Sequence, residues 1–278
     1  MNRLVGAKTG IDSLLEGHLS LPASVGSLAR SYRTASPFPH LILDDLFSDE
    51  LLGKLTDEMP EPSSDNWVVH EQPQLLKFNL RSVVSLGQTG VQITAFLHSA
   101  VFLYFLSEVT GIWNLLPDPY LRAGGYHVLP PGGHFGIHID RNTDHSNGLT
   151  RRLALIIYLN RSWKHEFGGQ LELWNSTGTH CEVIVEPRFN RTVLFEIADR
   201  NFHGVPAPVA APDGETRKSF FIYYHTARFD DKRDAPPHTT VYAPMFQNRW
   251  ESRLRSLIRD VTPPIVLRAV KALRRLND

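Results

Sequence analysis

Residues 133–140 read Gly133-His134-Phe135-Gly136-Ile137-His138-Ile139-Asp140. They follow the turn-rich run Leu129-Pro130-Pro131-Gly132, which reverses the chain before a strand starts. Residues i and i+2 of a strand point to the same side of a sheet. His138 and Asp140 therefore share a side, and Ile139 packs on the other. One imidazole beside one carboxylate is most of the two-histidine, one-carboxylate set that holds non-haem Fe(II) and leaves positions open. A His-x-Asp pair also arises by chance, so its weight depends on a third ligand elsewhere. His134 is a rival ligand four residues earlier. It lacks a carboxylate two positions on, which suits the rim of a substrate site better, with Arg151 beyond the loop 141–150.

Around this stretch the chain alternates short apolar runs with turns. The runs Gly125–Leu129, Phe135–Ile139, Leu153–Leu159, Gln170–Trp174, Glu182–Val185, Thr192–Ile197 and Ser219–Tyr224 predict strands. Gly168-Gly169, Asn175–Gly178 and Asp213-Gly214 punctuate them. Many short strands without intervening helices predict an antiparallel sandwich or jelly roll. Upstream, Leu41-Ile42-Leu43 reads as a buried strand. Ser48 is a candidate N-cap, with Asp49 and Glu50 in a first turn where the helix dipole favours anions. Leu51, Leu52, Leu55 and Met59 continue that helix until Pro60. A second helix is predicted over 94–109, stopped at Gly111, with both helices covering one sheet. Residues 1–36 carry no clear period and read as an extension, with a short helix near Ile11–Leu15.

The 278 residues, 42% of them hydrophobic, suit one large domain with extensions. The formal net charge is zero, so nothing global points to a nucleic-acid partner. Cys181 is the single cysteine; it cannot form an intrachain disulfide, reads as a packing residue and fits a reducing compartment. Neither a signal peptide nor a membrane-spanning run is legible, so a cytoplasmic location is expected. The tail differs in character. Arg249, Arg253, Arg255, Arg259, Arg268, Lys271, Arg274 and Arg275 accompany apolar faces that Pro263-Pro264 divides. It reads either as a helix packed on the domain or as a basic amphipathic element peripheral to an anionic membrane or on a partner.

The third ligand has a candidate in Phe202-His203-Gly204-Val205-Pro206, after the strand Thr192–Ile197. Arg217 then leads into the apolar strand Ser219–Tyr224. It would either pair with a surface acid or clamp a carboxylate inside an apolar barrel. The ordered pieces are His138-Ile139-Asp140; Ile157-Tyr158-Leu159-Asn160-Arg161-Ser162-Trp163; Phe167-Gly168-Gly169-Gln170-Leu171; Val185-Glu186-Pro187-Arg188-Phe189-Asn190-Arg191; His203-Gly204-Val205-Pro206; and Arg217. Together they resemble the Fe(II)/2-oxoglutarate dioxygenases of the prolyl 4-hydroxylase-like branch, including the hypoxia-inducible-factor prolyl hydroxylases and bacterial homologues. The resemblance covers about 37–230.

That resemblance implies a mainly β fold with flanking helices. It would have a double-stranded β-helix (jelly roll) core over about 120–227, N-terminal helices packed on one sheet and a C-terminal helical tail over 231–278. It also implies that His138, Asp140 and His203 bind Fe(II). Arg217 and Tyr158 would hold the distal carboxylate of 2-oxoglutarate, with Tyr126 lining the same pocket. The segment between His203 and Arg217 is longer than usual in the family, which keeps Lys218 and Arg228 as alternative clamps. The implied reaction uses O2 and 2-oxoglutarate, releases succinate and CO2, and hydroxylates an unactivated C–H, with ascorbate as a candidate reductant. Asp140 stands where halogenases of the superfamily carry a small residue, which disfavours halogenation. The compact layout and basic tail point to a small-molecule, saccharide or lipid-linked substrate. The motif set supports a protein prolyl (or other residue) hydroxylase as the alternative. A non-catalytic jelly-roll sensor is the third reading, and the intact His138, Asp140, His203 and Arg217 stand against it. The oligomeric state is not legible.

Overall fold

The computed structural model describes residues 10–62, 65–80, 82–143, 148–227 and 236–246. The chain divides into two compact units, 1–243 and 244–278. Of the second, only 244–246 are described, as a 3-10 turn, so the predicted amphipathic tail lies outside the described residues.

The first unit opens with α1 (Gly10–Leu15) and α2 (Val25–Thr34). Then come β1 (His40–Leu43), α3 (Asp49–Asp57), the hairpin β2 (Trp67–Gln72) and β3 (Leu75–Leu80), α4 (Gln88–Leu97) and α5 (Ala100–Thr110). The remainder is strand: β4 (Leu116–Pro117), β5 (Gly125–Leu129), β6 (His134–Ile139), β7 (Thr150–Tyr158), β8 (Leu171–Trp174) and β9 (Cys181–Val185). β10 (Thr192–Glu196), β11 (His203–Val205), β12 (Arg217–Thr226) and β13 (Val241–Tyr242) complete it.

The strands form one antiparallel sheet in the order β1-β10-β7-β12-β5-β3-β6-β11-β8-β9, with β4 on β12, β2 on β3 and β13 on β6. β3 pairs with β5 at Phe78 and Asn79 but with β6 at Leu75 and Leu76. It thereby carries the sheet from one wall to the other and curls it into the half-barrel expected of a jelly roll. Period-2 alternation then sorts the side chains. On β7, Leu153, Leu155 and Ile157 join the helices in the outer core, whereas Ala154, Ile156 and Tyr158 join the cluster inside the barrel. On β12, Phe220, Ile222 and Tyr224 go outward, and Phe221 and Tyr223 inward.

The N-cap reading of Ser48 holds: its hydroxyl accepts from the Leu51 N–H at 3.2 Å. The single predicted helix over 94–109 is two, α4 and α5, bent by 51°. Ser99 causes the break. Its side chain accepts from Phe102 N–H and starts a new helix, while the Glu58 carboxylate caps the start of α4 through Thr89 and Gly90. The stretch read as an extension with one short helix near Ile11–Leu15 has that helix as α1 and also contains α2, and both pack against α5. Leu28 and Tyr32 of α2 belong to the outer core. Residues 236–243, read as the start of the tail, lie in the first unit, where β13 pairs with β6. Among the described residues no single helix is long and apolar enough to cross a membrane.

Candidate active site

β6 and β11 are neighbours with His138 directly opposite His203. Asp140 lies just past the end of β6. Alternation turns His138 and Asp140 inward together, and the cross-strand pair brings His203 to them. One ligand atom from each of the three lies within 4.8 Å of the others, and all three residues are buried. The Nδ1 of His138 is 2.8 Å from the Gly136 carbonyl, and that of His203 is 3.0 Å from the Asn201 carbonyl. A carbonyl only accepts, so each Nδ1 carries the proton and donates it. Each Nε2 is left with a lone pair aimed at the centre. His138 Nε2 is buried with no hydrogen-bond partner, an orphan acceptor that suits a metal ion. Phe135 stacks on His138 at 3.6 Å and fixes the ring plane.

The electrostatics suit the same ion. Burial, with the neighbouring His138, pulls His203 down to about 4, so it is neutral at physiological pH. Burial would push the Asp140 carboxyl up. The close approach of His138 and His203 and the charge of Arg151 outweigh it and hold Asp140 below the usual carboxylate range. Two imidazoles, each with its Nδ1 committed to a carbonyl, and one carboxylate thus share one face.

Deeper in the barrel stands Arg217, the first residue of β12 and 4% exposed. Its Nε donates to the Gly169 carbonyl at 2.6 Å and its Nη2 to the Tyr158 hydroxyl at 3.2 Å. Gly169 adopts φ +73°, and a Cβ there would come within 2.9 Å of the Arg217 side chain, so Gly168-Gly169 makes room for the guanidinium. Among the described residues Arg217 meets no carboxylate, and burial lowers its pKa. A buried, uncompensated cation marks a place for an anion. Lys218 alternates away from Arg217, its N–H donating to Asn160, and Arg228 lies outside the described residues.

Arg217, His138, Asp140 and His203 line one chamber with Val128, Leu129, Ile156, Leu171, Phe195, Val205 and Phe221. Tyr126 does not reach it. The residue sits one step out of phase: its ring packs edge-on against Phe220 at 5.1 Å and its hydroxyl donates to the Leu55 carbonyl at 2.6 Å, in the helix layer. His127, read as an ordinary structural histidine, lines the chamber instead. It is stacked on Phe221 at 4.2 Å, and its Nε2 meets the Ala123 carbonyl. His134 is turned to the carbonyls of Gly132 and Pro73 and lines neither cavity described here. Arg151 is buried, 3.9 Å over the Tyr223 ring, in the wall of the outer cleft. Cys181 is half-buried, and burial pushes its thiol up to about 11, away from the thiolate form.

Two contributors escaped the sequence reading. Lys77 of β3 lines both chamber and cleft, its amine 4.7 Å from the Phe135 ring. Burial lowers it to about 8, against the opposing charge of Asp140. The signal was available: Trp67–Gln72, the two-residue turn Pro73-Gln74 and Leu75–Leu80 spell a hairpin. Tyr242 of β13 pairs with His138 in register and stands 6.1 Å from its ring.

Residues 124–225 match the family model of the 2OG-Fe(II) oxygenase superfamily. Over that stretch the chain is similar to the 2OG-Fe(II) oxygenases. Solved structures share its fold. A Pseudomonas putida prolyl-4-hydroxylase aligns at 18% identity over 74% of this chain and 100% of its own, with a TM-score of 0.54. A Trichoplax adhaerens prolyl hydroxylase, in complex with a peptide fragment of the hypoxia-inducible factor oxygen degradation domain, aligns at 17% over 72% and 88%, TM-score 0.53. A prolyl 4-hydroxylase from Phytophthora capsici aligns at 19% over 88% and 79%, TM-score 0.53. At these identities the likeness is one of fold. A search of curated proteins finds no match. The matched stretch has its His-Asp-His cluster where β6 meets β11, and Arg217 in the wall of the same chamber.

Proposed function

We propose that the protein is an Fe(II)- and 2-oxoglutarate-dependent hydroxylase of an unactivated C–H bond. His138, Asp140 and His203 would hold the iron. Arg217 and the Tyr158 hydroxyl would hold the distal carboxylate of 2-oxoglutarate. The observation that carries this reading is the pairing, in one chamber, of a preset three-ligand face with a buried guanidinium that has no carboxylate of its own. Iron bound there couples O2 to decarboxylation of 2-oxoglutarate, giving succinate and CO2 with one oxygen atom entering the substrate C–H. The protein's part is positional. The carbonyls of Gly136 and Asn201 keep the imidazole protons on Nδ1. Asp140 supplies the one negative charge. The apolar wall keeps water from the reacting atoms. Ascorbate is a candidate reductant.

The substrate reading is a small molecule, a saccharide or a lipid-linked intermediate. A protein prolyl or other residue is the alternative, and the peptide carried by the Trichoplax prolyl hydroxylase favours keeping it. Succinate release that needs both Fe(II) and 2-oxoglutarate tests the reaction class; its absence in the iron-loaded protein would refute the proposal. A mass gain of one oxygen, sought in a metabolite extract and on a peptide panel, separates the two substrate classes. We place the enzyme in the cytoplasm. Its basic tail either packs on the domain or meets an anionic membrane, and co-sedimentation of anionic vesicles with the chain lacking 249–278 decides between them.

A further inference from the structure

Outside the iron chamber lies a cleft of about 740 Å³, within the range of small-ligand sites. Its wall is basic. Lys77, Arg122, Arg141 and Arg151 all line it, and the one carboxylate in its described lining is Asp140, which the proposed metal would take. These cations act in one another's field. Arg151 and Arg141 both press on Lys77, and His70 in the same wall is lowered by burial and then by the charges of Lys77 and Arg141. No ion pair among the described residues neutralises Lys77, Arg141 or Arg151. Arg151 is 4% exposed with its Nε unpartnered. Arg151 is buried, Lys77 and Arg122 half-buried and Arg141 exposed, and holding a buried cation beside like charges is costly unless an anion joins them. Two further features narrow the chemistry. Tyr242 gives the cleft an aromatic surface, and Asn79, 5% exposed, has its Oδ1 buried without a partner, an acceptor that suits a hydroxyl.

We propose that the cleft selects a small, hydroxylated molecule bearing a phosphate or carboxylate, which Lys77, Arg141 and Arg151 hold while its C–H extends past Asp140 to the metal. This rests on the oxygenase reading and names the substrate class for it. Lys77 spans both cavities, so it marks the passage from the anion end to the reacting end.

The test uses the full chain saturated with Fe(II) and 2-oxoglutarate under anaerobic conditions, with inorganic pyrophosphate and citrate as probes in calorimetry. Saturation with 2-oxoglutarate keeps the probes off Arg217. At least one probe should bind, and which one does distinguishes phosphate from carboxylate. Lys77→Met combined with Arg141→Gln should weaken it by about tenfold or more, since charge-assisted hydrogen bonds are the strong ones. Lys77→Arg should restore part of the loss, and Lys54→Met, at an exposed position of α3, should change nothing. No binding to the wild type, or equal binding to the double variant, would overturn the proposal. So would an acidic peptide that binds where neither small anion does. Succinate release in the same preparation is read separately. Succinate without anion binding refutes only the cleft assignment, whereas its absence refutes the oxygenase reading on which the assignment depends.

Discussion

At the scale of single residues, phase along a strand decides what a side chain can do. Arg217 and Tyr126 stand on paired strands, β12 and β5, yet one faces the barrel and the other the helices. The two make opposite predictions. Truncating one partner of a buried, hydrogen-bonded charge pair costs about 2–5 kcal/mol. Arg217→Ala should therefore raise the 2-oxoglutarate KM by at least about tenfold, with Arg217→Lys between it and the wild type. An unchanged KM in steady-state succinate assays would move the clamp elsewhere. Tyr126→Phe removes only the bond to the Leu55 carbonyl, so thermal unfolding should register a loss of about 1 kcal/mol with the 2-oxoglutarate KM unmoved. A large rise in KM would return Tyr126 to the chamber. The clustering of His138, Asp140 and His203 and the inward place of Arg217 were legible because a metal face and an anion clamp, the roles proposed for them, demand particular residue types. Tyr126 was misread because one tyrosine looks like another until its phase is known.

At the scale of elements, the seam between β6 and β11 holds the proposed ligands in place. Gly204 follows His203 where the register slips between His203 and Val205. A Cβ on Gly204 would lie 2.7 Å from the Phe135 carbonyl oxygen and 2.9 Å from that of Gly136. Both obstacles are backbone of the opposite strand, so neither can swing away. Gly204→Ala should force β11 off β6 and carry His203 from His138 and Asp140, costing about 1–3 kcal/mol of stability as overpacking does and weakening metal binding more than it lowers Tm. Titration with Co(II), followed in the visible spectrum, reads the site directly; undiminished Co(II) affinity would mean the seam is not what aligns the ligands. Elements themselves were unevenly legible. The strand Gly125–Leu129 reads correctly because turns bound it on both sides. The break between α4 and α5 was missed because the apolar period runs through it and only the Ser99 hydroxyl interrupts it. α2 was missed because Leu28 and Tyr32 are apolar for the sake of α5, a contact remote in sequence.

At the scale of the whole unit, a barrel that buries its working groups also buries histidines on both of its layers, and this couples stability to pH. His98 closes α4, its Nε2 buried without a partner, and burial lowers its pKa from 6.5 to about 4. His127, inside the barrel, is held well below 6.5, by burial first and then by Lys77. In the unfolded chain both take up a proton near the ordinary value. Between about pH 6.5 and pH 4 the unfolded state therefore binds more protons than the folded one, and stability must fall as the pH is lowered through that window. The contribution is complete above the unfolded value and gone once the folded group itself protonates. His98→Gln removes one of these titrations without touching the chamber. Its Tm should decline less steeply than that of the wild type between the same limits, and the two curves should run parallel above pH 7. Parallel curves throughout would show that His98 is solvated in the folded protein, and that acid sensitivity belongs to the barrel rather than to the helices that cover it.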